Sequence, residues 1–123
     1  MATVPKKTLV LGASPNSSRY SYLAIERLRN LKHPVVGIGL RQGKVADIEI
    51  NVDRPPVEDL DTVTLYMSAS NQKQYYDYIL SLHPHRIIFN PGTENEELET
   101  LAEQKGILVE EACTLVLLST GQY

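Results

Sequence analysis

The sequence predicts a three-layer α/β fold, in which helices cover both faces of a mostly parallel, five-stranded sheet. Short apolar runs alternate along the chain with longer segments of helical periodicity, as in α/β proteins. The apolar runs are continuous instead of alternating with polar residues, which indicates strands buried on both faces. The 123 residues, 42% of them hydrophobic, match the size and apolar content of one domain spanning residues 1–123.

The first half of the chain is predicted to contain strands at 8–11 and 35–40, with a helix at 18–31 between them. The apolar face of this helix comprises Tyr20, Ala24, Leu28 and Leu31. Residues 42–53 show no regular pattern, although 48–52 has the composition of a short strand.

The second half is predicted to contain strands at 62–67, 86–89 and 107–109, a helix at 71–82 and a closing helix at 112–119. The inner face of the helix at 71–82 comprises Tyr75, Tyr78, Ile79 and Leu82.

A further helix is predicted before the last strand. Thr93 and Glu96 have the spacing of a capping box, in which each side chain accepts from the other residue's backbone N–H. The helix that they begin extends to Lys105 and ends at Gly106, since glycine is the usual residue after a helix.

Composition and charge exclude several classes of protein. With 12 basic and 15 acidic residues the net charge is −3, whereas a general nucleic-acid binder is expected to be strongly basic. Cys113 is the only cysteine, so no intrachain disulfide forms and a cytoplasmic location is expected. Residues 1–7 resemble neither a signal peptide nor an anchor. No segment approaches the roughly 20 apolar residues that span a membrane.

The junction after the first predicted strand has the features of a phosphate-binding turn. Gly12 permits a tight turn, and Ser17 and Ser18 precede the body of the next helix. The free N–H groups and the positive dipole end of that helix favour an anion. We therefore expect a nucleotide-like small molecule as the ligand.

In open α/β sheets, ligands bind beyond the carboxyl ends of the strands. The residues expected there include Gly12, Ala13, Ser14, Pro15, Asn16, Gly39, Leu40, Arg41, Met67, Ser68, Ala69, Asn90, Pro91 and Gly92. This set contains no cluster of metal ligands and no paired nucleophile and base.

Arg41 argues for a phosphorylated ribose. A single Gly12 does not make the three-glycine dinucleotide fingerprint, and the acid that binds bare ribose hydroxyls is replaced by Arg41. A cation there suits the 2′-phosphate of NADP or the 3′-phosphate of coenzyme A (CoA). The alternative is that Arg41 is a solvated loop charge.

The stretch from Gly12 to Tyr22, G-A-S-P-N-S-S-R-Y-S-Y, resembles the G-A-S-x-N-x-x-R-x-S-Y motif of the CoA-binding domain family. These are single-domain bacterial proteins similar to the N-terminal domain of the succinyl-CoA synthetase α subunit. The predicted element order agrees over nearly the whole chain, and so do residues 63–67 and the acidic-x-Cys ending at Cys113.

The resemblance implies a Rossmann-like domain that binds CoA or an acyl-CoA without catalysis, because the synthetase's phosphorylated histidine lies in a second domain. By motif position, Gly12 to Asn16 border the phosphates, with Arg19 and Tyr20 beside them, and Arg41 lies near the ribose phosphate. The adenine or pantetheine side is expected to involve Met67, Ser68 and Ala69, and the pantetheine arm Asn90, Pro91 and Gly92.

The chain departs from the family pattern at two strand ends. Gly39-Leu40-Arg41 stands where the family has Asn-Pro and a basic residue, and Ser68 stands where proline is usual. Two alternatives therefore stay open. One is an NADP(H)-binding reductase or redox sensor, and the other is a scaffold without a ligand that forms a homodimer or binds another partner.

The remaining reactive residues are interpreted as structural. His33, His83 and His85 lie in helix-to-strand connections, away from the expected cleft, and no acid or cysteine joins them at metal-ligand spacing. Cys113 has no neighbouring histidine or lysine to activate it, so an inert thiol is expected.

Overall fold

The computed structural model describes residues 4–123, which form a seven-stranded sheet with helices on both faces. The strands are β1 (Thr8–Leu11), β2 (Val35–Ile38), β3 (Gly43–Val45), β4 (Ile48–Asn51), β5 (Thr62–Leu65), β6 (Arg86–Phe89) and β7 (Leu108–Glu111). The helices are α1 (Tyr20–Asn30), α2 (Ala69–Gln72), α3 (Tyr76–Ser81), α4 (Glu96–Gln104) and α5 (Thr114–Ser119).

The strand order is β3-β4-β2-β1-β5-β6-β7, and every neighbouring pair is parallel except β3 with β4. Without β3, the strands follow the order 3-2-1-4-5-6 by their appearance in the chain, which is the order of Rossmann-like folds. The predicted fold class is therefore confirmed, with seven strands in place of five. The order reverses between β1 and β5, so the ligand crevice of such a sheet is expected there.

Continuous burial of the central strands explains why they are parallel and covered. Every residue of β1, β5 and β6 is buried. One face packs against Ile79 of α3 and Leu98 of α4. The other packs against Ile25 of α1 and Leu118 of α5. Two apolar layers thus hold the sheet in the middle of the molecule.

The two additional strands form a β-hairpin within residues 42–53. The predicted strand at 48–52 is β4, and the short strand β3 pairs with it at the edge of the sheet. Asp47 in the hairpin turn accepts hydrogen bonds from Nε and Nη2 of Arg29, both at 2.8 Å. Local sequence did not indicate β3 because it has only three residues, and Val45 is its only buried one.

The buried face of α1 differs from the predicted one at both ends. Tyr20 and Leu31 are 73% and 47% exposed. Ser21 and Ile25 are buried instead, together with the predicted Ala24 and Leu28. The predicted and the observed buried faces share Ala24 and Leu28, and the observed face begins with the small Ser21 in place of Tyr20. Tyr20 is left at the rim of the ligand crevice.

The predicted helix at 71–82 is broken into α2, a single 3₁₀ turn (Lys73–Tyr75) and α3. Gln72 is fully buried, and its Nε2 donates to the carbonyls of Met67 at 2.9 Å and Thr93 at 2.7 Å. These bonds to other loops hold the backbone out of a continuous α-helix. Tyr75 and Ile79 are buried as predicted, whereas Tyr78 and Leu82 are only half-buried.

The prediction of a capping box at Thr93 and Glu96 is wrong. The N-cap of α4 is Asn95, whose side chain accepts from the N–H of Leu98 at 3.2 Å. Thr93 is buried instead, and its hydroxyl donates to the carbonyl of Asn90 at 2.7 Å. The predicted end of the helix is confirmed, since Gly106 has a φ of +75° just after α4.

Candidate functional site

A cleft of about 890 Å³ opens at the carboxyl ends of the parallel strands, at the β1–β5 switch point. Its lining includes Gly12, Ala13, Ser14, Pro15, Asn16, Arg19, Tyr20, Gly39, Leu40, Arg41, Met67, Ser68, Pro91 and Gly92. The sequence therefore identified the residues that meet here, with two exceptions. Asn90 and Ala69 are not among the lining residues.

Asn90 lies in the core beneath the cleft. Its Nδ2 donates to the hydroxyl of Thr64 at 2.7 Å and to the carbonyl of Leu65 at 2.8 Å. Its Oδ1 accepts from the N–H of Thr114 at 2.8 Å. Because the amide is buried and its donors are used, Asn90 joins β5, β6 and the start of α5 and does not present an amide to the cleft.

Close backbone packing shapes the turn after β1. Gly12 has a φ of +97°, and a Cβ on it would lie 2.8 Å from the carbonyl oxygen of Tyr66. The N–H groups of Gly12 and Ala13 both donate to the carbonyl of Ile38 at 2.9 Å. Glycine is therefore required for close packing of the loops, and these two N–H groups hold the turn on β2.

Asn16 organises the rest of this turn. Its Oδ1 accepts from the N–H of Ser18 at 3.0 Å and from its hydroxyl at 2.8 Å. The hydroxyl of Ser14 accepts from the N–H of Asn16 at 3.1 Å. These bonds form a compact polar loop that leads directly into α1.

The N-terminus of α1 faces this cleft without a side-chain cap. Arg19 is the N-cap residue, and no side chain accepts a hydrogen bond from the first turn. Tyr20 and Ser21, the first two residues of the helix, both line the cleft. Unpaired N–H groups and the positive end of the helix dipole therefore face a ligand there.

The loop after β2 brings a second arginine to the cleft. Gly39 is buried, and a Cβ on it would overlap the carbonyl oxygen of Ala13, so the loop can lie against the first turn only with glycine. Arg41 follows and is exposed, as is Arg19. Within residues 4–123 neither arginine has a carboxylate at ion-pair distance, and no acidic residue lines the cleft.

Thr93, which also follows the strand at 86–89 and belongs to the residues expected at the strand ends, lines the cleft too. Five further lining residues were not identified by the strand-end rule: Ser21, Tyr66, Asn71, Gln74 and Tyr75. Asn71, Gln74 and Tyr75 lie a turn or more beyond a strand end, where only the packing of the broken helix brings them to the cleft. Tyr66 lies inside the predicted strand at 62–67, but β5 ends at Leu65, so Tyr66 is the first residue beyond the strand end.

Tyr66 is held neutral at ordinary pH. Burial raises the pKa of its hydroxyl to about 12. Its oxygen is buried with no hydrogen-bond partner in the described part of the chain. A phenol of this kind is neutral at pH 7 and does not act as a base there.

The other candidate reactive groups lie away from the cleft lining. His33 is buried in the connection before β2, where its Nδ1 accepts from the N–H of Lys6 at 2.9 Å. Cys113 is a half-buried free thiol. Glu110 lies 3.8 Å from Arg86. Over residues 4–123, no group of three or more His, Cys, Asp or Glu residues has the arrangement of a metal site.

No helix in the part of the chain that the structure describes is both long and apolar enough to cross a membrane.

Comparison with known proteins identifies a family and close structural similarity. The family model for the CoA binding domain matches residues 6–119. A crystal structure of an uncharacterized protein superposes with a TM-score of 0.95 at 50% identity, covering 98% of this chain and 100% of that chain. No curated protein matches the sequence.

More distant structures share the fold. A hypothetical protein from Pyrococcus horikoshii OT3 has a TM-score of 0.84 at 18% identity, covering 94% of this chain and 83% of its own. The cell-free ID.343 structure from Thermus thermophilus has a TM-score of 0.80 at 20% identity, covering 97% and 91%. At such identities the likeness extends to the fold alone.

Proposed function

Because the chain belongs to the CoA-binding domain family, we propose that it binds coenzyme A or an acyl-CoA in this cleft and catalyses no reaction itself. The observation that carries the proposal is the distribution of charge around the cleft. Arg19, Arg41 and the uncapped start of α1 provide positive charge, while the remaining polar lining is uncharged. This suits a ligand with a phosphorylated head and a neutral, amide-containing arm.

The shape of the cleft supports the same ligand. The backbone turn at Gly12 and Ala13 is held against β2, and the loop carrying Arg41 lies beside it, so both line one open cleft. A cleft of about 890 Å³ is within the usual range for cofactor sites. We assign the diphosphate to the start of α1 and the ribose 3′-phosphate to Arg41.

The absence of catalysis in the proposal is supported by the chemistry of the lining. Its hydroxyl groups, such as those of Ser14 and Ser68, have no histidine or carboxylate beside them in the lining. An activated serine requires such a base. A binding protein that holds or senses the thioester is therefore the simplest function.

NADP(H) binding is the second candidate, and Arg41 favours it because a 2′-phosphate would suit the same cation. A protein that serves only as a homodimer or partner scaffold is less well supported, since the cleft is open and positively charged. These candidates make different demands on the sugar phosphate, and a ligand series separates them.

The test is a thermal-shift series with CoA, acetyl-CoA, dephospho-CoA, NADP and NAD. A ligand at 100 times its dissociation constant stabilises the folded state by about 2.7 kcal/mol, which raises the melting temperature by several degrees. We expect a shift with CoA or acetyl-CoA that decreases with dephospho-CoA. A shift with NADP alone would favour the second candidate, and no shift with any ligand would contradict both.

A further inference from the structure

One wall of the cleft, formed by residues 71–75, has no assigned role. Asn71 and Gln74 are exposed there and line the cleft beside the edge of the buried Tyr75. The side chain of Asn71 makes no hydrogen bond within residues 4–123, and Nε2 of Gln74 makes only a 3.4 Å contact with the carbonyl of Asn71. Two side-chain amides are therefore available to a ligand.

Arg54 holds this wall in place from behind. Its Nη1 donates to the carbonyl of Gln74 at 2.7 Å, and its Nη2 donates to Oε1 of the same residue at 3.3 Å. Its guanidinium carbon lies 4.2 Å from the centre of the Tyr75 ring. Because Arg54 holds Oε1 on one side, the NH₂ group of Gln74 is turned away from the guanidinium.

The guanidinium of Arg54 is not neutralised by the protein. In the described part of the chain, no carboxylate lies within ion-pair distance of it. Its contacts are a carbonyl, an amide oxygen and an aromatic face, which together require a planar fork and not merely a charge.

Arg54 connects this wall to the side of the sheet that leads to Arg41. Arg54 follows β4, the neighbour of β2, and reaches across to the carbonyl of Gln74. Residues 71–75 follow β5, whereas Pro91 and Gly92 follow β6, one strand further from β2. In CoA the 3′-phosphate and the base are attached to one ribose, so a base whose sugar phosphate meets Arg41 lies towards Gln74, and the arm extends towards β6.

We propose that Asn71 and Gln74 recognise the hydrogen-bonding edge of an adenine base, and that Arg54 is the positioning residue that orients Gln74 for it. The NH₂ of Gln74 can donate to a ring nitrogen, and the side-chain carbonyl of Asn71, unpartnered within residues 4–123, can accept from the exocyclic amine, because Oε1 of Gln74 is held by Arg54. The inference rests on the proposed function and adds base selectivity to it.

The test compares CoA with its counterpart in which hypoxanthine replaces adenine, using calorimetry. This replacement exchanges the exocyclic amine for a carbonyl and the bare ring nitrogen for an N–H. The wild type is expected to prefer CoA. Gln74→Ala is expected to weaken CoA binding roughly two- to tenfold, the value of a neutral hydrogen bond, and to reduce the preference for CoA over the hypoxanthine counterpart.

Gln104→Ala, an exposed glutamine at the end of α4, is the matched control and should leave both affinities unchanged. If CoA binds the wild type but Gln74→Ala keeps the full preference for adenine, the base subsite is wrong. A wild type that binds the two ligands equally also contradicts it. If the wild type binds no CoA at all, the proposed function itself fails.

Two substitutions test the role of Arg54. Arg54→Ala and Arg54→Lys are both expected to reduce the preference for adenine, because lysine keeps the charge but cannot form the fork or the planar stack. Arg27→Ala, an exposed arginine in the last turn of α1, is the control and should keep the preference. Full preference in Arg54→Lys would show that charge alone acts, and would overturn the positioning role.

Discussion

At the scale of single residues, the cleft depends on a few positions where no other side chain would serve. Gly39 lies against the carbonyl of Ala13, and Gly12 lies against the carbonyl of Tyr66. Each contact brings two loops close enough for their polar groups to face one ligand. By contrast, Arg41 forms no ion pair within residues 4–123, so its charge is available to the proposed ligand.

Arg41→Glu is expected to weaken CoA binding more than dephospho-CoA binding. A charge-assisted hydrogen bond to phosphate contributes about 1.5–3 kcal/mol, and the substitution replaces it with repulsion. Calorimetric titration of both ligands measures the difference. Arg27→Glu changes the net charge equally on a part of α1 outside the cleft lining and should affect neither ligand much. Equal losses for both ligands would show that Arg41 does not contact the ribose phosphate.

Gly39→Ala is expected to destabilise the protein by about 1–3 kcal/mol and to impair binding of the proposed ligand, because the added methyl group overlaps the Ala13 carbonyl in the turn after β1. Gly37→Ala is a matched control in the same strand region, since its Cβ would meet only side-chain atoms at 3.4 Å or more. Urea unfolding of both variants provides the comparison. Equal stability of the two variants would contradict the steric argument.

At the scale of elements, the broken helix forms one wall of the cleft and is joined to its neighbour α4 by a shared polar network. Asn95 caps α4, and its Nδ2 donates at 2.8 Å both to Oε1 of Gln72 and to the hydroxyl of Tyr76. Gln72 in turn donates to the loops after β5 and β6. One buried network therefore positions residues 71–75 between α4 and the loops after β5 and β6.

Asn95→Ala is expected to cost about 2–4 kcal/mol of stability. The lost cap accounts for about 1 kcal/mol, and the buried oxygen of Gln72 left without its donor adds the remainder. Asn95→Ser keeps a cap acceptor and should lie between Ala and the wild type. The midpoints of urea unfolding give the order, and equal midpoints for Ser and Ala would show that the cap contributes nothing.

At the scale of the whole molecule, the two ends of the sheet have different roles. The carboxyl ends open into the cleft, whereas the amino ends are closed by a cluster around Tyr123. Its ring centre lies 5.1 Å from that of His33 and 4.5 Å from the guanidinium carbon of Arg86. Its hydroxyl bonds with the hydroxyl of Thr8. Stability at this end therefore depends on charged groups that lie outside the cleft lining.

The stability of the protein is expected to fall as the pH decreases through the range in which His33 titrates. Burial, and then the positive charges of Lys6 and Arg86, lower the pKa of His33. Below the unfolded pKa of about 6.5 the unfolded chain takes up the proton first, so stability is lost progressively towards the lower folded pKa. Protonation would also end the bond that Nδ1 accepts from the N–H of Lys6.

Urea unfolding between pH 7.5 and 5.5 measures this loss. His33→Gln should show a smaller decline than the wild type, while His85→Gln, at an exposed position, should keep the full decline. A decline in His33→Gln as large as that of the wild type would assign the titration to other groups.

Local patterns were sufficient to predict the parallel sheet and most of the cleft. Continuous apolar runs such as β1 and β6 can be buried only between two helical layers, and the carboxyl ends of parallel strands necessarily meet at one edge. Gly12 and Arg41 were found in this way, because their positions depend on short stretches of chain next to a strand, whereas Arg19 was indicated by the family resemblance.

Tertiary structure alone decided the rest, since it depends on contacts between distant segments. Periodicity could not show that Gln72 and Asn95 would bond to other loops and break a helix. Nor could it show that the amide of Asn90 would form hydrogen bonds with Thr64 and Thr114 in the core. Asn71 and Gln74, which complete the cleft, are positioned by these buried hydrogen bonds. The helix is broken here because leaving a buried amide without a partner costs more free energy than interrupting the helix.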